Sequence, residues 1–262
     1  MTQTEISPLA IVSPTARLGT GVRIDAFAVV EENVEIGDRV RIESHAHLRS
    51  GARISADCVV FTGASIGAAP QDLKFTGEET LAFVGERTII REYATIHRGT
   101  HATGRTVVGS DCLLMAYTHV AHDCVLGDNV ILANGTQLGG HVRVDDWAII
   151  GGLVGVHQFE RIGMHSMIGA GFKVSKDVPP FVTAGQWPLQ FMGVNRIGLK
   201  RRGFADEEIS DIVNAYRIIY ISGLNVGDAL ERLDQEMGGS PFVRVIVDFI
   251  RGAHRGIIPG PR

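Results

Sequence analysis

The sequence predicts a mainly β protein, a parallel β-helix of six-residue repeats followed by a small α-helical unit. Three observations carry this prediction. Aliphatic residues recur at every sixth position, glycines favour one phase of that repeat, and the period changes to that of a helix in the last quarter of the chain.

From residue 6 to residue 174, 26 of the 29 multiples of six are Val, Ile or Leu. The exceptions are Asp72, Glu78 and Ala102. Neither a helix, with period 3.6, nor a flat strand, with period 2, demands such a ruler. A parallel β-helix does, because each hexad forms one side of a coil. Three hexads, about 18 residues, make one triangular coil, and coils stack through a parallel ladder with a rise of about 4.8 Å. The ruler residues should point inwards as columns, each stabilising the solenoid by about 1.5–3 kcal/mol. Ten glycines directly follow a ruler residue, among them Gly37, Gly109 and Gly139. A small residue there is expected to serve a tight corner.

Two stretches interrupt the repeat, residues 68–83 and residues 97–106. A regular solenoid needs neither, and long loops on a rigid scaffold commonly carry function. The ladder is expected to stop at Asp177-Val178-Pro179-Pro180, where proline cannot donate to another coil. Residues 181–203 read as irregular. Beyond them Ile209, Ile212, Val213, Tyr216, Ile219 and Tyr220 fit one helix face, behind the acidic first turn Asp206-Glu207-Glu208. Asn225 followed by Asp228 marks a second helix start, and Ser240-Pro241 a third. The expected division is a β-helix domain over 1–190 and a helical domain over 191–262.

The net charge of −4 argues against non-specific nucleic-acid binding. Cys58, Cys112 and Cys124 share one phase and contain no CxxC, so they read as small buried thiols. The N-terminus lacks a basic-then-apolar leader, and no apolar run is long enough to span a bilayer. A cytoplasmic protein is the expectation.

Histidines carry the chemical signal. His119 and His122 flank Val120, His141 follows about one coil later, and His157 and His165 fall in the next coils. On stacked coils of either hand such positions share a corner or a face, a fitting place for acid–base work near neutral pH. His119-x-x-His122 and His97-x-x-x-His101 could be ligand pairs. No GxSxG elbow is present, and no cysteine sits beside a histidine in a polar setting. Walker and Rossmann glycine patterns are absent too. The run from Asn195 through Lys200-Arg201-Arg202 is basic and could meet a phosphate or an acidic protein.

Several motifs together resemble one family closely: Pro70-Gln71-Asp72-Leu73-Lys74-Phe75, Ile96-His97-Arg98-Gly99-Thr100, His119-Val120-Ala121-His122-Asp123-Cys124, Val156-His157-Gln158-Phe159, and Gly193-Val194-Asn195 through Phe204. They resemble the acyl-[acyl-carrier-protein]–UDP-N-acetylglucosamine O-acyltransferases, which begin lipid A synthesis. The resemblance covers nearly the whole chain. It implies a left-handed β-helix, a homotrimer with sites between subunits, and transfer of a 3-hydroxyacyl group from acyl carrier protein to the glucosamine 3-hydroxyl of UDP-N-acetylglucosamine. It implies His122 as general base, Asp123 as its orienting partner, and the Gly140 N–H as oxyanion donor. Asp72, Lys74, His119, His141, His157, Gln158, Asn195 and Arg201 would bind substrate, and Met167 and Ala170 would line the acyl-chain groove. The C-terminal arginines would suit the acidic carrier protein. No metal or cofactor is implied. Other readings within the repeat superfamily are a different acyltransferase, or a zinc hydratase, whose typical His-x4-His spacing this chain lacks. Two positions depart from the family pattern. Ile197 stands where many members are acidic, and Ala170 where members accepting long acyl chains can have glycine. The extra methyl group is expected to shorten the groove.

Overall fold

The computed structural model describes residues 3–261. The hexads form a left-handed triangular solenoid whose three faces are sheets of 11, 9 and 8 strands, parallel except for the last strand of the first. Most strands are only two residues long: Glu5–Ile6 opens the first face, Ile11–Val12 the second and Arg17–Leu18 the third. Each pairs with the strand one coil on, as Glu5 does with Arg23.

From Val22 and Ile24 onward the inner columns are almost completely buried, and they form one continuous core with the neighbouring small residues. Cys58, Cys112 and Cys124 are free, buried thiols within it. Their Sγ atoms donate to the carbonyls of Gly85, Gly127 and Gly139 at 3.0, 3.2 and 3.1 Å. Burial pushes Cys124 up to about 12, so it is no nucleophile at neutral pH.

The glycine phase has a different cause from the one expected. The left-handed backbone that turns each corner lies three residues after the ruler, and mostly non-glycine residues adopt it, including Asn33, Tyr93, Asp123 and His141. The glycine one after the ruler is needed because coils approach closely. A Cβ on Gly37 would lie 2.7 Å from the Ala56 nitrogen, and one on Gly139 would lie 2.8 Å from the Gln158 nitrogen.

The two interruptions leave from the same edge, the corner between the second and third faces. Across the first, the pairing step lengthens from 18 residues to 30, as in Ser65 with Thr95. Across the second it is 24, as in Thr95 with His119. Both insertions are whole hexads, so every downstream ruler residue keeps its inward phase. The three ruler lapses, Asp72, Glu78 and Ala102, are those added hexads.

The ladder does not stop at Pro179-Pro180. These prolines occupy a corner, and Val182–Gly185 adds one more parallel strand against Met167–Ile168. Gln190–Val194 then pairs antiparallel with it. The sheet thus runs past residue 190, and α1 (Arg196–Arg201) follows at once. The segment read as irregular holds two strands and a short helix. Then come α2 (Asp206–Ile221), α3 (Val226–Met237) and α4 (Pro241–Arg251). Asn225 caps α3 by accepting from the Asp228 N–H at 3.0 Å, and Pro241 opens α4. Tyr216 and Phe191 seat α2 on the end of the solenoid. No helix among the described residues is long and apolar enough to cross a membrane.

Candidate active site

Positions two and three after the ruler on the second-to-third corner stack coil upon coil. His122, Gly140 and Gln158 occupy one column, and Asp123, His141 and Phe159 the next. Asp123 turns the corner with φ 62°, a conformation that a short polar side chain tolerates. Its carboxylate is completely buried and accepts from the Thr100 N–H at 3.0 Å and the Thr100 hydroxyl at 2.7 Å. It also accepts from the Thr103 hydroxyl and from His122 Nδ1, the latter at 2.8 Å. Burial by itself would raise this acid, but the Thr103, His122 and Thr100 hydrogen bonds outweigh it and hold the carboxyl at about 2. Asp123 is therefore ionised and can only accept. His122 Nδ1 must carry the proton, which leaves Nε2 with a free lone pair.

That Nε2 lies against Gly140. A Cβ there would stand 2.7 Å from Nε2 and 2.6 Å from Cε1, so any side chain would displace the imidazole. His141 stacks on Phe159 at 4.5 Å, meets the His122 ring edge-on at 5.2 Å, and brings Nε2 to 3.7 Å from Asp123. Burial lowers the pKa of His141.

On the outer side of the second face, His119 Nδ1 meets the Thr95 hydroxyl at 2.7 Å. Burial, then His122, lowers its pKa. His97 stands edge-on to it at 4.6 Å and is pushed down to about 4, by burial first and then by His119. The first insertion carries Asp72 and Lys74 beside this corner, in a turn where Asp72 Oδ1 accepts the Lys74 N–H at 3.0 Å. Glu78 ties the two insertions together by accepting the His101 N–H at 3.1 Å.

His122, Asp123 and His141 also present donor atoms within 4.8 Å of one another, a set that suits a metal ion in principle. The 2.8 Å contact from His122 to Asp123 is instead a hydrogen bond, and the threonines occupy the remaining carboxylate lone pairs. This donor set fits proton relay better than chelation.

Other expected residues lie apart. Asn195 is buried. Its Oδ1 accepts the Gly198 N–H at 3.2 Å, and its Nδ2 donates to the His165 carbonyl at 3.0 Å, so it caps α1 and fastens it to the third-to-first corner. Arg201 is exposed on α1, whereas Arg202 tucks against His165 and over Trp147, and Lys200 pairs with Asp206. The basic run is thus dispersed rather than one patch. Met167 is exposed on the outer side of the first face, and Ala170 on the corner that follows it. The sequence reading missed Thr100, Thr103 and Thr106. Thr106 accepts the Asp123 N–H at 2.8 Å. Their only signal was a spacing of three residues within the second interruption, a pattern that an ordinary loop also shows.

A solenoid of hexads with a carboxylate-oriented histidine on its edge defines a hexapeptide-repeat acyltransferase. Residues 15–50 and 105–140 match the bacterial transferase hexapeptide family, and residues 177–258 match the second domain of UDP-N-acetylglucosamine O-acyltransferase. Acyl-[acyl-carrier-protein]–UDP-N-acetylglucosamine O-acyltransferase from Xanthomonas axonopodis pv. citri is 47% identical, over 97% of each chain. The Bacteroides fragilis UDP-N-acetylglucosamine acyltransferase structure superposes with a TM-score of 0.95 at 50% identity, over 97% of this chain and 99% of that one. The Arabidopsis enzyme does so with 0.84 at 32%, over 97% and 99%. The chain belongs to the acyl-[acyl-carrier-protein]–UDP-N-acetylglucosamine O-acyltransferase family.

Proposed function

We propose that this chain transfers a 3-hydroxyacyl group from acyl carrier protein to the glucosamine 3-hydroxyl of UDP-N-acetylglucosamine, the first step of lipid A biosynthesis. The observation that carries the mechanism is the 2.8 Å hydrogen bond from His122 Nδ1 to the ionised Asp123. It sets the Nε2 lone pair towards the space beside Gly140. Nε2 takes the proton from the sugar hydroxyl as that oxygen attacks the thioester carbonyl. The Gly140 N–H donates to the oxyanion that forms. Collapse expels the carrier thiolate, which His122 reprotonates, while Asp123 stabilises the transient imidazolium.

Asp72, Lys74, His119 and His141 surround this point and contact the sugar. His157 and Gln158 continue the cleft one coil on. Arg201, on a helix fixed by Asn195, serves the nucleotide end. Met167 and Ala170 line the acyl groove.

The distribution of these residues supports a homotrimer. The catalytic column and His119 belong to the second face and its far edge, whereas Met167 and Ala170 belong to the first face and the edge between the two. A threefold ring that lays the first face of one protomer on the second face of the next joins the two sets. After the charged first coils, Ile89, Leu113, Ile131, Ile149 and Met167 make the outer side of the first face apolar. Phe27, Tyr93, Tyr117 and Leu153 form an exposed ridge on the shared edge, which would then lie on the threefold axis. The third face is mixed, presenting Arg17, Glu35, Arg53, Arg143 and Arg161 around a middle stretch of Phe83, Val107 and Val125, and is left to solvent in this arrangement. We place the enzyme in the cytoplasm, where its carrier-protein donor resides.

Mass spectrometry of the product from UDP-N-acetylglucosamine and a mixture of 3-hydroxyacyl carrier proteins tests the activity. A singly O-acylated sugar nucleotide is expected. An unchanged sugar nucleotide in every mixture would overturn the proposal.

A further inference from the structure

Arg255, one of the C-terminal arginines, is half-exposed, but its guanidinium reaches back to the last coil. Its Nη1 lies 3.0 Å from His157 Nδ1 and 3.4 Å from Glu160 Oε1. Glu160 is completely buried beneath it. The segment behind Arg255 is strapped across the last coil, with the Asp177 N–H donating to the Gly256 carbonyl at 3.2 Å and the Ile258 N–H donating to the Asp177 carbonyl at 2.9 Å. The guanidinium is thus delivered by a fixed piece of backbone and anchored by a buried acid.

His157 Nδ1 also lies 3.1 Å from the Gln158 carbonyl. The two neighbours make opposite demands. A carbonyl accepts only, so it calls for a proton on Nδ1. A guanidinium donates only, so it calls for a lone pair there. A neutral imidazole satisfies one of them, and the choice decides whether Nε2 faces the cleft as donor or as acceptor.

We propose that Arg255 is a positioning residue that holds His157 as the Nε2–H tautomer, so that the cleft presents a neutral hydrogen-bond donor to an anionic oxygen of the nucleoside diphosphate. This rests on the reading that His157 lines the substrate cleft. It assigns the C-terminal strap a part in recognising the sugar nucleotide, through a residue that touches no substrate itself.

The test uses the full-length enzyme with 15N-labelled histidine. In the wild type, the His157 resonances should show a protonated Nε2 and an unprotonated Nδ1. Arg255→Met should reverse that pattern, because the neighbours that then remain, the Gln158 carbonyl at 3.1 Å and Glu160 Oε1 at 3.9 Å, both call for a proton on Nδ1. It should also raise KM for UDP-N-acetylglucosamine about tenfold, the worth of one charge-assisted hydrogen bond. KM for the acyl carrier protein and kcat should stay close to wild type, and Arg255→Lys, which restores a cationic donor, should recover the Nε2–H pattern. An unchanged tautomer in Arg255→Met would overturn the proposal, as would an equal rise in both KM values. His157→Ala separates the two layers. If it raises KM for the sugar nucleotide while Arg255→Met does not, the cleft reading stands and the positioning role fails. If it leaves that KM unchanged, both fail.

Discussion

The inward columns and the second-to-third corner are built from the same hexads and obey opposite rules. Along the columns, Val120, Leu138 and Val156 repeat one kind of residue, and all are buried. At the corner, two positions further along each of those hexads, His122, Gly140 and Gln158 share no property. The columns need sameness, because each side chain packs against its copies above and below. The corner is free to vary, because its side chains need only leave the backbone turn intact. Chemistry has settled where the repeat imposes least.

The largest expected effect breaks the column side of this contrast. Ile150 is completely buried, so Ile150→Asp places an unpaired charge in the core, at a cost of more than about 4 kcal/mol. Thermal unfolding should show a collapsed transition or insoluble protein. A cooperative, near-normal melt would mean that the columns tolerate what a packed core does not.

The corner should behave the other way. His122→Ala is expected to lower kcat by roughly two to four decades, the usual worth of a general base, while circular dichroism and oligomeric size stay those of the wild type. Turnover within a few-fold of normal would remove His122 from its role.

A smaller, pH-dependent effect should arise where corner and column meet. His97 and His165 are both pushed down to about 4 from the ordinary 6.5, by burial first. Below 6.5 the unfolded chain binds these protons more readily than the folded one, so stability should fall as pH drops towards 4. In His97→Asn that decline should be shallower when Tm is followed across the range. An identical slope would show that His97 does not titrate with unfolding. The smallest effect concerns Ala170→Gly, expected to shift preference towards longer acyl chains in a competition among carrier-bound donors. Unchanged or shorter preference would dissociate Ala170 from the groove.

The same contrast explains what could be read from the sequence. The solenoid was legible because its physics repeats: a residue such as Leu132 sees the same surroundings as Leu114 and Ile150, so period alone reveals them. His122 stood out because it and His119 flank the ruler residue Val120, although its role, and that of Asp123, came from family resemblance. The threonines that fix Asp123 were hidden, since nothing in Thr100 or Thr103 distinguishes a hydrogen-bond shell from an ordinary loop. The strands at 182–185 and 190–194 were hidden behind Pro179-Pro180. Proline excludes a ladder position but not a corner, and only three-dimensional placement tells the two apart. Arg255 lies 98 residues from His157 in sequence, beyond the reach of any local pattern.

The steps of 30 and 24 residues at the interrupted edge have a consequence for how such a chain can change over generations. Length is quantised there. Adding or losing six residues at that edge leaves every later coil in phase, whereas adding or losing five turns all downstream side chains out of step. The edge that carries the catalytic pair is therefore also where new binding loops can be acquired or discarded without refolding the rest.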